Sequence, residues 1–308
     1  MTTVAFVFPG QGSQYVGMGK DLYESSPHAR TCFDRADAIL GFSLTKICFE
    51  GPEHELRQTR NTQPGIFLHS IALASALEAL HPEMVAGHSL GEYSALVVAG
   101  VLSFEDGLRL VRLRGELMQR AGEVNKGTMA AIVGLEPDVI EKVCAEASAA
   151  GVVQEANLNA PGQIVISGSV NGVHRAMELA KHRGAKLVKE LVVSGAFHSP
   201  LMDSARDEML DALERTDLRD AKVPVYANVT AEPVTRATDI RELLHRQITS
   251  PVRWEQCVRN MVRDGAGLFY EVGPGKVLQG LIKRIDVTVQ VRGCEKYTDL
   301  ERLAHHDA

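Results

Sequence analysis

The stretch EMVAGHSLGEYSALVVAG, residues 83–100, decides how the chain is read. It sets Ser89 between Gly87 and Gly91 in a G-x-S-x-G spacing, where a short apolar run (Met84, Val85, Ala86) hands over to a helix-like pattern. That is the setting of a nucleophile elbow. The backbone turns sharply from strand to helix, and both flanking positions need small residues because strand and helix pass close together. Such a turn pushes the serine hydroxyl outward, above a helix N-terminus whose backbone N–H groups can meet a developing oxyanion. By chance alone the spacing arises in about one chain in ten of this length. The surroundings distinguish this copy: Glu92 falls in the first helical turn, and Ala95, Leu96, Val97, Val98 and Ala99 continue as a buried helix.

Upstream, an apolar run Val4 to Phe8 reads as a first strand and leads into PGQGSQYVGMG (residues 9–19), too rich in glycine to be a mere connector. Neither nucleotide-binding spacing is met. Gly10 and Gly12 are followed by Tyr15 rather than glycine, and Gln14 stands where a G-x-x-x-x-G-K loop ending at Lys20 needs its first glycine. Close backbone approach to a ligand or oxyanion is the remaining role.

Downstream, residues 104–122 carry a helical period. At about 100° per residue, Arg109, Arg112, Glu116, Gln119 and Arg120 share one side, whereas Leu110, Leu113, Leu117, Met118 and Ala121 share the other. Arg114 falls on the apolar side, where an unpaired charge is very costly. Two partners are open to it: an internal acid, giving a structural ion pair, or the carboxylate of a substrate in a cleft.

From about 127 to 196 the pattern becomes a compact alternation: strand 128–134, helix 136–151, strands 152–157 and 163–168, helix 171–184, strand 186–194. That β-α-β-β-α-β order predicts a ferredoxin-like module. Strand and helix patterns then resume at 222–230, 240–248, 267–274 and 287–293, with a further helix containing Trp254 between Pro251 and Gly265. The expected fold class is therefore α/β, with a large α/β-hydrolase-like domain over 1–126 and 197–308 that carries the elbow. A small ferredoxin-like βαββαβ domain over 127–196 is inserted in it. RLAHHDA, residues 302–308, reads as a frayed tail in which His305 and His306 are solvated rather than metal-binding.

Composition bounds the function. With 308 residues and 45% hydrophobic content the chain can bury a large core. A net charge of -6, with no aromatics interleaved among basic residues, argues against nucleic-acid binding. No stretch approaches the roughly 18 apolar residues of a membrane span, and the N-terminus lacks the cationic start of a signal peptide. Five widely spaced cysteines without C-x-x-C point to a reducing cytoplasm rather than a disulfide or zinc framework.

A serine nucleophile needs a base. Of the 11 histidines, His28, His54, His81, His174, His182 and His245 fall in polar loops or helix faces, and His69 and His88 suit packing or local hydrogen bonding. His198 differs. It closes LVVSGAFHSPLM (191–202), where the chain leaves the small module through small residues, and a domain junction is a natural place for a cleft.

In the order FPGQGSQYVGMG, GHSLGEYSAL, RLRGELMQ, GAFHSPLM, YANVTA, RQITSPVRW and EVGPGKVLQGLIKRI, these segments resemble the malonyl-CoA:acyl carrier protein transacylases and related polyketide-synthase acyltransferase domains across nearly the whole chain. The resemblance implies that Ser89 takes the acyl group and that His198 acts as base and then acid. The main-chain carbonyl of Gln247 would orient the imidazole, with Asp203 and Asp106 as alternative carboxylate partners. It further implies an oxyanion hole from the N–H groups of Gln11 and Leu90, and Arg114 as the grip on the malonyl carboxylate. Malonyl-selective relatives often carry His-Ala-Phe-His where this chain has Gly195-Ala196-Phe197-His198. The retained Phe197 implies malonyl rather than methylmalonyl. Malonyl-CoA and an acyl carrier protein are the expected partners of a cytoplasmic monomer, with no metal or redox cofactor. A trans-acting polyketide-synthase acyltransferase and an acyl-carrier-editing serine thioesterase are the alternatives.

Overall fold

The computed structural model describes residues 3–77 and 80–306 as a mixed α/β structure with two sheets. In chain order the strands are β1 (Thr3–Phe8), β2 (Met84–Gly87), β3 (Gly127–Val133), β4 (Val153–Ala160), β5 (Gln163–Ser169), β6 (Leu187–Glu190), β7 (Val225–Tyr226), β8 (Pro233–Val234), β9 (Ala266–Val272) and β10 (Gln290–Cys294). The larger sheet has the order β10-β9-β1-β2-β7-β8 and is parallel except for the β7–β8 pair. Helices cover both of its faces, which explains why β1 and β2 read as unbroken apolar runs. Alternation assigns the sides: Phe6, Phe8 and Val85 join one apolar cluster, while Ala5, Val7, Met84 and Ala86 join another with Trp254 and Phe269.

The smaller sheet has the order β4-β5-β3-β6, antiparallel throughout, with the helices Pro137–Ala147 and Val170–His182 packed on it over a separate core containing Ile132, Ile140, Ile166 and Val173. Its edge strand β4 also meets the segment after the helix Ala237–Gln247. Leu158 N–H donates to Val252 O at 2.9 Å, and Val252 N–H donates to Ala156 O at 2.8 Å. Arg284 Nη2 donates to Pro161 O at 3.2 Å, a second link between the sheets.

Several expected elements are shorter than their patterns. The strand expected over 186–194 ends at Glu190: Leu191 N–H still reaches Met129 O, but Val192 is 98% exposed and the chain runs on as an irregular strap toward His198. Of 222–230 only Val225–Tyr226 pairs as a strand, because Ala227 N–H turns to Glu232 O and the Asn228 side chain donates to Gly87 O. The last strand starts at Gln290 rather than 287, since Asp286 Oδ1 accepts from the N–H and hydroxyl of Thr288 and closes a turn there. The tail expected to fray is helical as far as His306, and residues 307 and 308 lie outside those described, as do the side chains of His305 and His306.

Candidate active site

β2 ends at Gly87, and the helix Gly91–Val98 begins four residues on, with Ser89 between them at φ 53°. That left-handed backbone is strained for serine by about 1–3 kcal/mol. The glycines are required by close approach: a Cβ on Gly87 would lie 1.9 Å from the carbonyl carbon of Gly91, and one on Gly91 would lie 2.1 Å from Phe8 O. The glycine-rich loop after β1 obeys the same constraint, since a Cβ on Gly10 would meet His88 O at 2.4 Å. This contact brings Gln11 beside the turn.

Ser89 Oγ sits 2.8 Å from His198 Nε2. On its far side the ring places Nδ1 2.9 Å from Gln247 O and 3.1 Å from Ser250 O. Two carbonyls accept and cannot donate, so Nδ1 carries the proton and Nε2 turns its lone pair to the serine hydroxyl. His198 itself has φ 57°, and Gln154 Nε2 donates to its carbonyl at 2.8 Å. Burial, reinforced by the charge of Arg114, pushes the imidazole down to about 3, while the two carbonyl bonds pull the other way. Neither aspartate expected as an alternative joins the ring: Asp203 pairs with Arg206, and Asp106 caps its helix through Ser103.

Ser103 starts the helix Phe104–Val124, and its apolar stripe carries Arg114 inward to 0% exposure. Arg114 Nη1 donates to Gln63 Oε1 at 2.8 Å, and Nη2 donates to Gln247 Oε1 at 2.9 Å and to Ser89 Oγ at 3.2 Å. Its guanidinium also lies over the Tyr93 ring, 5.7 Å from the centroid. Among the described residues no carboxylate forms an ion pair with it, so the internal-acid alternative is not what the fold builds. Burial lowers its pKa, opposed by Tyr93 and Glu92.

A cleft of about 130 Å³ opens over these groups, lined by Gln11, Ser89, Leu90, Arg114, Phe197 and His198 among others. Of the residues singled out in the sequence, these six line the cleft and Gln247 joins them through its bonds to His198 and Arg114, while Asp203 and Asp106 stay outside. Residues that pattern did not single out complete the site. Asn228 Oδ1 accepts from Ser89 N–H at 2.7 Å and Asn228 Nδ2 donates to Gly87 O at 2.7 Å. Gln63 stands near the polar start of the helix Thr59–Ala76, two residues after a second buried amide, Asn61, so nothing in the pattern set it apart. His88 does what its position suggested: Nε2 bonds Asn159 Oδ1 at 2.8 Å. Burial lowers its pKa.

Residues 5–298 match the acyl transferase domain family. The malonyl CoA-acyl carrier protein transacylase of Bacillus subtilis (strain 168) is 48% identical over 289 residues, covering 93% of this chain and 91% of its own length. The crystal structure of an acyl-carrier-protein S-malonyltransferase from Burkholderia pseudomallei 1710b superposes with a TM-score of 0.95 at 43% identity, covering 98% of this chain and 99% of that one. A malonyl-transacylase solved in complex with its type II PKS acyl-carrier protein gives 0.96 at 39% identity, covering 99% and 100%. With the serine, imidazole and buried guanidinium converging in one cleft, these likenesses establish that the chain belongs to the acyl transferase family, in its malonyl-CoA:acyl carrier protein transacylase branch.

Proposed function

We propose that this acyltransferase carries a malonyl group from malonyl-CoA to the phosphopantetheine thiol of an acyl carrier protein by a ping-pong route through malonyl-Ser89. The observation that carries the reading is that Ser89 Oγ touches a neutral base on one side, at 2.8 Å, and a buried cation on the other, at 3.2 Å. As Oγ attacks the thioester carbonyl its proton passes to His198 Nε2, and the resulting imidazolium is held at Nδ1 by the carbonyls of Gln247 and Ser250. The same proton is then given to the departing CoA thiolate. The N–H groups of Gln11 and Leu90 take the oxyanion charge. In the second half-reaction the carrier thiol loses its proton to His198, attacks the ester and restores the serine.

Arg114 receives the malonyl carboxylate through its planar fork while Gln63 and Gln247 go on accepting from it. Phe197, against the same cleft, disfavours a branched methylmalonyl unit. In this reading Gly87–Gly91 is the nucleophile elbow of an α/β-hydrolase-like domain over 1–126 and 197–308, and 127–196 is a ferredoxin-like insert, in keeping with its strand order. All five cysteines stand unpaired, which suits the proposed cytoplasmic setting. No helix of the described residues is long and apolar enough to cross a membrane. A monomer completes the reading, and light scattering on the purified chain checks it.

Intact-protein mass spectrometry tests the proposal. Malonyl-CoA should add one malonyl mass to the wild type and none to folded Ser89→Ala, and holo-carrier protein should then discharge it. Discharge to water unaffected by carrier would instead identify a thioesterase.

A further inference from the structure

Gln247 meets the site twice. Its main-chain carbonyl accepts from His198, while its side-chain amide bridges Ser89 and Arg114: Nε2 donates to Ser89 O at 2.9 Å, and Oε1 accepts from Arg114 Nη2 at 2.9 Å. An amide can be turned end for end, and only its neighbours choose between the two arrangements. Arg114 can only donate, so it needs Oε1 on its side. The opposite choice is enforced by Glu92, in the first turn of the helix that follows the serine. Its Oε2 accepts from Gln247 Nε2 at 2.8 Å and from Asn228 N–H at 3.1 Å. Asn228 in turn accepts from the Ser89 N–H. Glu92 is 3% exposed and Gln247 0%, so water does not substitute for these partners.

We propose that Glu92 is a positioning residue for substrate selection: by accepting from Gln247 and Asn228 together it fixes the Gln247 amide with Oε1 toward Arg114, and so aims the guanidinium fork at the acyl carboxylate. The inference rests on the malonyl reading above and adds to it a residue that touches neither the nucleophile's hydroxyl nor the cleft. Glu92 Oε2 alone accepts both bonds, so glutamine at position 92 can keep them with its single carbonyl oxygen, whereas methionine keeps the length and removes the acceptor. Gln247 Nε2 is then held by Ser89 O alone, and the amide that partners Arg114 is less firmly fixed.

The test is single-turnover acylation of Ser89 by malonyl-CoA and by acetyl-CoA, followed by rapid quench and intact-protein mass spectrometry, with thermal unfolding to verify the fold. In Glu92→Met the malonyl-to-acetyl ratio of specificity constants should fall about tenfold or more, the scale of one lost hydrogen bond to a charged group, and Glu92→Gln should keep it. The fall should appear mainly in the malonyl-CoA concentration dependence. Gln247→Met, which keeps the main-chain carbonyl, should reproduce it, and combining it with Glu92→Met should add nothing further. Equal slowing of both thioesters in folded Glu92→Met, or an unchanged ratio, overturns the proposal. If that variant does not fold, an unchanged ratio in Gln247→Met overturns it instead. A wild type that forms no malonyl adduct would sink the malonyl reading itself, whereas one that prefers malonyl in a way Glu92→Met retains sinks only this inference.

Discussion

Arg114 is a charge that the fold buries at a cost and that the proposed chemistry uses. It is fully buried, its Nε has no hydrogen-bond partner among the described residues, and the three acceptors it does have are uncharged. In the proposed reaction the incoming carboxylate supplies the missing countercharge in a place where water is excluded. Removing one partner of such a desolvated charge pair costs about 2–5 kcal/mol. Arg114→Ala should therefore lower kcat/KM for malonyl-CoA by about thirtyfold to several thousandfold, with a much smaller effect on acetyl-CoA, which leaves no charge unpaired. Arg114→Lys should recover only part of the loss, because a point charge cannot reproduce the planar fork. Steady-state kinetics with both thioesters checks this; an equal fall for the two in a folded protein would make Arg114 structural.

At the scale of elements, the site depends on how closely helices pass the strap that carries the base. Gly122, near the end of the helix Phe104–Val124, lies where a Cβ would come within 2.2 Å of Ser194 O and 2.9 Å of Gly195 Cα, four and three residues before His198. Alanine there gains about 1 kcal/mol of helix propensity, but overpacking against backbone costs about 1–3 kcal/mol. The clash outweighs the propensity, and relief requires the strap to move. Gly122→Ala should lose modest stability and roughly a hundredfold in acyl transfer, the scale of an ångström-sized misplacement of a catalytic group. Gly280, in the helix Val277–Ile285, is the control: a Cβ there meets nothing within 4 Å. Gly280→Ala should gain about 1 kcal/mol with transfer unchanged. Thermal unfolding and transfer rates on the pair check both, and a Gly122→Ala enzyme of full activity would refute the strap argument.

Across the whole molecule, acid stability is set by opposed buried groups. Burial pushes His69 and His198 from 6.5 down to about 3, so the stability each lends by being neutral is full above pH 6.5 and is lost as pH falls toward 3. Burial pushes Glu92 and Glu271 from 4.5 up to about 7, so each lends stability that is full below pH 4.5 and is lost as pH rises toward 7. Each slope is about 1.4 kcal/mol per pH unit. Between pH 6.5 and 4.5 the histidine losses, to which buried His88 adds, run against the gains of the two glutamates. Glu271→Gln, which removes one gain, should therefore lose Tm relative to the wild type as pH falls from about 7 to 4.5, with a constant difference below that; unfolding scans across pH check this. The same molecule separates what its sequence determined from what folding decided. Ser89 in its turn was legible because glycine spacing and the change from strand to helix period are set by neighbours within one helical turn. Arg114 was legible because a charge on an apolar stripe breaks a 3.6-residue period. The alternation over 127–196 announced a second sheet in the same way. The left-handed backbone of His198, the ending of β6 at Glu190, and the roles of Gln63, Asn228 and Glu92 were not legible. Their meaning lies in hydrogen bonds between residues 51 to 155 positions apart. Amides and carboxylates carry no period of their own, and which way each one points is decided only where the packed core leaves it a single set of donors and acceptors.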